Sequence, residues 1–355
     1  MHSLSCGIVS GELQIVRIAY ALQFARWTSP VGVCVRLVRE NGGIFMLDFF
    51  MTNDTLIRRI DEPEEGCWIR LTDPTQAETE YIADRFEMDI ADVRAALDDE
   101  ESSRISLEDN YTLILVDIPS AEVRNKRRGY TTIPLGILLK EGYIITVCSE
   151  ETTVLTPFVD RHVRTFSTKK QMRFTYQILY NVCMRYQALL RAIDKKRTEL
   201  EEGIGEGMKD SDLVDLHELE SNLVYFATSL RANGVVLDRL TRYGRLRRYE
   251  EDDELLEDVI IENKQAIEMT SIYRDIINGT RELMSSVISN RLNEVMKVLT
   301  SITIVMSIPT IIGGLWGMNV PVPLAHAPFA FAIICLVTLG ICLVTLLLLR
   351  KRKMM

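Results

Sequence analysis

The stretch SNRLNEVMKVLTSITIVMSIPTIIGGLWGMN, residues 289–319, decides the fold of this chain. Lys297 is its last charged residue, and none follows from Val298 to Trp316. A second uncharged stretch runs from Pro328 to Leu349. Each is about twenty residues long, enough for a helix to cross a hydrocarbon core of about 30 Å. A hairpin in the core of a soluble protein would carry a solvated polar face, and neither segment has one. Lys297 precedes the first span and RKRK (350–353) follows the second, whereas the intervening loop has no Lys or Arg. The positive-inside rule then places both termini in the cytoplasm, in a multi-pass protein of the cytoplasmic (inner) membrane.

Upstream of the spans the pattern is helical. A helix begins near Glu254 and meets no breaker other than Gly279 before Pro309. About sixty residues at 1.5 Å each make a rod of roughly 90 Å, too long for one globular core. Two more amphipathic helices precede it, one from about Thr168 to the glycines at 203, 205 and 207, the other from about Asp212 to Arg242. Between about Gly66 and Val147 the texture is different. CWIRL, YTLILVDI, TIPLGILL and YIITV are rich in the Ile, Val, Tyr and Thr that strands favour, and Lys140-Glu141-Gly142 sits where a hairpin turn belongs. AETEYIADRFEMDIADVRAAL (77–97) has helical spacing. The expected fold is an α+β membrane protein with a cytosolic α/β domain, a long-helix stalk and two C-terminal transmembrane helices. The corresponding divisions are an extension at 1–45, the α/β domain at 46–165, the stalk at 166–296 and the membrane hairpin with its basic tail at 297–355. Within the extension, Ser10 to Arg26 has the amphipathicity of a targeting or interfacial helix; the plainer expectation is a functional chain that begins at Met46 or Met51.

Composition excludes several classes. With 41 Lys and Arg against 50 Asp and Glu, the net charge of −9 does not suit a nucleic-acid partner. The seven cysteines form no C-x-x-C pair, which argues against a disulfide framework or a zinc site. No Gly-Lys dipeptide occurs, so there is no P-loop and no nucleotide partner is expected. The chain does not read as an enzyme.

The first span carries a polar stripe. Asn293, Met296, Thr300, Thr303, Ser307, Thr310, Gly314 and Gly317 recur at alternating steps of 3 and 4. Small and hydroxyl residues at this spacing serve either a helix-packing seam or the lining of a pore. One such helix per chain cannot enclose a channel, so the second reading requires an oligomer. Spacing alone leaves both open.

Gly317-Met318-Asn319 at the outer end of the first of two C-terminal spans resembles the signature of the CorA family of divalent-cation channels. The resemblance covers roughly residues 46–355 and includes the approach SNRLNEVMKVLT (289–300) and the basic tail. It implies a funnel-shaped homopentamer in the lipid bilayer that passes Mg²⁺, often with Co²⁺ or Ni²⁺. Gly317, Met318 and Asn319 would be the selectivity filter. A ring of Asn319 carboxamides can hydrogen-bond the water shell of an ion that dehydrates reluctantly. Thr303, Ser307 and Thr310 would offer hydroxyls further down, with Thr300 and Gly314 on the same face. Met296 and Leu299 would narrow the inner pore, with Asn293 at the cytosolic entrance. The resemblance also implies Mg²⁺ as a regulatory ligand between subunits. Asp258, thirty-five residues before Asn293, falls at the matching stalk position. Its partner would lie before ISLEDNY (105–111), where the matching position is Ala95, flanked by Asp92, Asp98 and Asp99. The chain departs from the pattern in having Trp316 for Tyr, and in an outer loop, VPVPLAHAP, without an acid. A Zn²⁺ or other transition-metal transporter of the same superfamily and a non-conducting membrane scaffold are the alternatives.

Overall fold

The computed structural model describes residues 38–40, 43–45, 47–53, 56–124, 127–160, 163, 166–203, 210–242, 250–318 and 329–352. The proposed Ser10–Arg26 helix, Asn319 and the loop 320–328 lie outside the described residues. Two compact units divide the chain, residues 1–190 with 224–270 and residues 191–223 with 271–355.

In the first unit a two-stranded antiparallel pair, β1 (Val38–Glu40) and β2 (Gly43–Phe45), precedes a seven-stranded sheet. The sheet strands are β3 (Asp48–Asn53), β4 (Leu56–Ile60), β5 (Cys67–Thr72), β6 (Arg104–Leu107), β7 (Tyr111–Arg124), β8 (Arg127–Lys140) and β9 (Tyr143–Cys148), in the order β4-β3-β5-β9-β8-β7-β6. The sheet is mixed, because β5 and β9 run parallel while the other neighbours are antiparallel. The four strands read from their β-branched runs are all present. The turn between β8 and β9 is two residues long, and Gly142 takes a φ of +80° there that favours glycine. Strands β3 and β4 were not anticipated.

Helices α1 (Gln76–Phe86) and α2 (Ile90–Arg94) follow β5. Thr75 opens α1 with a reciprocal cap: its hydroxyl accepts from the Glu78 N–H and its own N–H donates to Glu78 Oε2 at 2.6 Å. The helical stretch 77–97 is divided, because Glu87 turns left-handed (φ 51°) and Asp89 caps a new helix by accepting from Ala91 N at 2.8 Å. The sheet is buried on both faces, which is why its central strands read as continuous apolar runs. Cys67, Ile69 and Leu71 face α1 and α2 with Ile82, Phe86 and Val93. From the opposite face of β5, Trp68 meets Phe50 (5.0 Å between rings) and Phe174 (5.1 Å), and its Nε1 donates to Thr146 Oγ1 at 2.8 Å.

Short helix α3 (Thr156–Val159) leads into three long helices, α4 (Gln171–Gly203), α5 (Asp210–Arg242) and α6 (Glu250–Trp316), and a last one, α7 (Ala330–Lys351). A buried polar network ties α4 and α5 to β7 and β8. Asn233 accepts from Asp117 N and returns a bond from Nδ2 to Asp117 O, both at 2.8 Å, as a neighbouring strand would. Tyr186 donates to the same carbonyl at 3.1 Å, and Ser229 donates to Thr132 Oγ1 at 2.9 Å. Burial pushes the pKa of the Asp117 carboxyl and of the Tyr186 phenol upward.

Candidate functional site

The second unit holds the polar stripe. Helix α6 runs 67 residues without interruption and keeps Pro309 inside it. Both α6, from Asp252, and α7 are long and apolar enough to cross a membrane, and their apolar windows are almost wholly unburied within the single chain.

Packing of α7 on α6 leaves a clear trace. Along the span of α6, the residues that lose exposure are Ser301, Val305, Ile308 and Ile312, at steps of 4, 3 and 4. On α7 they are Ala330, Ile334, Thr338, Cys342, Thr345 and Leu349, with Leu346 beside them. Cys342 Sγ lies 3.8 Å from the Val305 carbonyl, which sets the register of the pair. At about 100° per residue, the stripe from Met296 to Gly314 centres about 150° from this seam. The stripe residues Asn293, Met296, Thr300, Thr303, Ser307, Thr310, Gly314 and Gly317 are all exposed. The stripe is therefore not the contact with the chain's own second span.

Three hydroxyls on the stripe point their protons inward along the helix. Thr303 donates to Leu299 O at 2.9 Å, Ser307 to Ile304 O at 2.8 Å and Thr310 to Met306 O at 3.1 Å. Each oxygen keeps lone pairs for an outside donor. Mg²⁺-type ions travel with waters whose oxygens face the metal and whose protons face out, so a wall of acceptors suits the hydrated ion. Below the span, every residue from Ile288 to Thr300 is exposed. Leu292, Val295, Met296 and Leu299 are 61, 64, 56 and 61 % exposed, a degree that requires other copies or lipid to cover them. Gly317 and Met318 follow the last turn of α6.

The three acids singled out for a regulatory ion lie in the first unit. Asp258 is exposed on α6. Asp98 is exposed and holds the Glu100 N–H at 3.0 Å. Asp92 is engaged on both oxygens, accepting from Tyr111 Oη at 2.8 Å and facing Arg104 at 3.4 Å. Burial first, and then this bond to Asp92, push the Tyr111 phenol up to about 12. Among the described residues no three His, Cys, Asp or Glu side chains converge on a cation position, so one chain does not assemble these acids into a metal site. The opposition of stripe and seam went unread in the sequence, because it depends on where α7 packs on α6.

The CorA-like Mg²⁺ transporter protein family matches residues 63–351 of this chain. A cobalt/magnesium transport protein CorA of Methanocaldococcus jannaschii is 28 % identical over 273 residues, 74 % of this chain and 83 % of that protein. A magnesium transport protein CorA of Campylobacter jejuni is 22 % identical over 326 residues, 84 % of this chain and 95 % of that one. Among solved structures, the complete CorA magnesium transporter from Methanocaldococcus jannaschii shares the fold with a TM-score of 0.74 at 24 % identity, covering 86 % of this chain and 97 % of that one.

Proposed function

The chain belongs to the CorA-like Mg²⁺ transporter protein family, and from that membership we propose that it passes Mg²⁺, with Co²⁺ or Ni²⁺ as further substrates, through a homopentameric pore. The observation that carries this reading is the exposed polar stripe of α6, opposite the face that packs on α7. In a ring of copies with α6 innermost, that stripe lines the axis and α7 faces the lipid. Both termini then lie in the cytoplasm, as the positive-inside rule requires of Lys297 and Arg350–Arg352. Gly317, Met318 and Asn319 form the outer filter, where the Asn319 carboxamide oxygens accept from the hydrated ion. Thr310, Ser307, Thr303 and Thr300 continue the acceptor wall past Gly314, and Leu299 and Met296 form an apolar constriction above Asn293.

Regulation belongs to the same reading. Asp258 of one subunit and Asp98 of a neighbour hold an inhibitory Mg²⁺, and Asp92 joins them by releasing Arg104. Bound metal favours a closed ring only through its differential affinity for that state. The divisions at 46–165, 166–296 and 297–355 are the regulatory, stalk and conducting parts.

Ion uptake into proteoliposomes, compared for Mg²⁺, Co²⁺, Ni²⁺ and Zn²⁺, tests the proposal. Uptake of Mg²⁺ by the wild type and its loss in Asn319→Ala, with the oligomer unchanged by native mass measurement, is the expected result. Preference for Zn²⁺ would make it a transition-metal transporter, and no uptake of any ion would leave a membrane scaffold. Asp258→Asn should weaken inhibition by internal Mg²⁺ without removing conduction; superimposable inhibition curves would return Asp258 to a solvated stalk acid.

A further inference from the structure

Pro309 stands in the middle of the first span and has no N–H to give. The Val305 carbonyl, four residues earlier, therefore lacks the donor that a regular helix would supply. Lipid offers no replacement, so such a group must be satisfied within the protein. Three consecutive carbonyls before Pro309 each receive a side-chain donor. Ile304 O accepts from Ser307 at 2.8 Å, Met306 O from Thr310 at 3.1 Å, and Val305 O from the thiol of Cys342 at 3.8 Å. The first two donors are stripe residues of α6 itself. The third comes from α7.

We propose that Cys342 is a positioning residue for transport, its thiol holding the Val305 carbonyl that Pro309 leaves without a partner and so fixing the direction of the outer half of α6. The proline makes a bendable point in the helix that carries the stripe. Ser307 and Thr310 flank that point, so any change of bend there moves the hydroxyls of the stripe. A thiol is a weak donor, strong enough to favour one bend and weak enough to let the helix leave it. A hydroxyl in its place serves the same purpose; an alkyl group does not.

The inference rests on the transport reading for its consequence, but the bond itself is testable without flux. The difference infrared spectrum between the full-length wild type and Cys342→Ala isolates the S–H stretch of Cys342. That band should lie at lower frequency with Pro309 present than in a Pro309→Ala background, where the helix supplies its own N–H to Val305. Equal frequencies in the two backgrounds would overturn the bond. In proteoliposomes Cys342→Ala should cut Mg²⁺ uptake by about two- to five-fold, the range of a weak thiol hydrogen bond. Cys342→Ser should restore it, and Cys342→Ala should have no effect in the Pro309→Ala background. The same loss in both backgrounds, or a serine variant as impaired as the alanine one, would overturn the positioning role. If no variant and not even the wild type takes up Mg²⁺, the transport reading and the positioning role fall together, and the infrared bands alone decide the bond.

Discussion

In the first unit Asn233 buries its carboxamide against the backbone of Asp117, and Trp68 is enclosed between Phe50 and Phe174. In the second unit Thr303, Ser307 and Thr310 satisfy their protons on their own helix and stand exposed. The first arrangement completes itself within one chain: polar groups find partners on other elements and apolar ones find a core. The second leaves a helix exposed at every residue from Ile288 to Thr300, with Arg291, Glu294 and Lys297 interspersed among apolar side chains. Burial within a chain reports what specifies its fold. Residues left exposed on a long helix report what the chain is built to meet, which under the proposed function is lipid, other copies and the transported ion.

That contrast breaks most readily at Trp68. Trp68→Ala should cost about 3–5 kcal/mol, the range for emptying a buried aromatic site. Denaturant unfolding of the solubilised full chain measures it. A loss below about 1 kcal/mol would mean that the first unit does not depend on its own core in the sense argued here.

Asp117 sharpens the comparison with a smaller effect. Burial raises its pKa in the folded chain above the unfolded value. The proton is thus held more tightly by the folded state, and this contribution to stability is full below the unfolded pKa and lost as pH rises through the folded one. At neutral pH the ionised group works against folding. Asp117→Asn should therefore raise the Tm near neutral pH, and the gain should shrink as the solution is acidified. A gain that persists unchanged in acid would show that ionisation is not its cause.

The smallest effect on stability is expected on the stripe. Thr303→Val keeps the shape and removes the hydroxyl, and unfolding should change by no more than about 0.5 kcal/mol while Mg²⁺ uptake falls. A clear loss of stability with uptake intact would make the stripe a packing surface between copies.

Much of this was legible in the sequence, and for physical reasons. The runs CWIRL and YIITV are largely apolar because both faces of β5 and β9 are covered, and Gly142 marks the hairpin turn from β8 into β9 because few other residues adopt its φ. Strand β4 escaped notice because LIRRI carries two adjacent arginines at a sheet edge, where one side has no partner strand. The division of the helical stretch at Glu87 was written in Asp89, an N-cap residue one position before Ile90. Of the site, spacing revealed the stripe but not which way it faces, since that depends on where α7 packs. Pro309 reads locally as a breaker; α6 nevertheless continues past it, and one donor to the carbonyls before it is a cysteine thirty-three residues away.

The inward-pointing hydroxyl protons of the stripe have one more consequence. Proton hopping along a line of hydroxyls and waters requires each group to pass on one proton as it receives the next. Thr303, Ser307 and Thr310 have committed theirs to Leu299, Ile304 and Met306. They can receive a hydrogen bond but cannot relay one without breaking a bond to the helix. In the proposed pore these three hydroxyls would accept hydrogen bonds from the water around a cation without passing a proton along the line themselves.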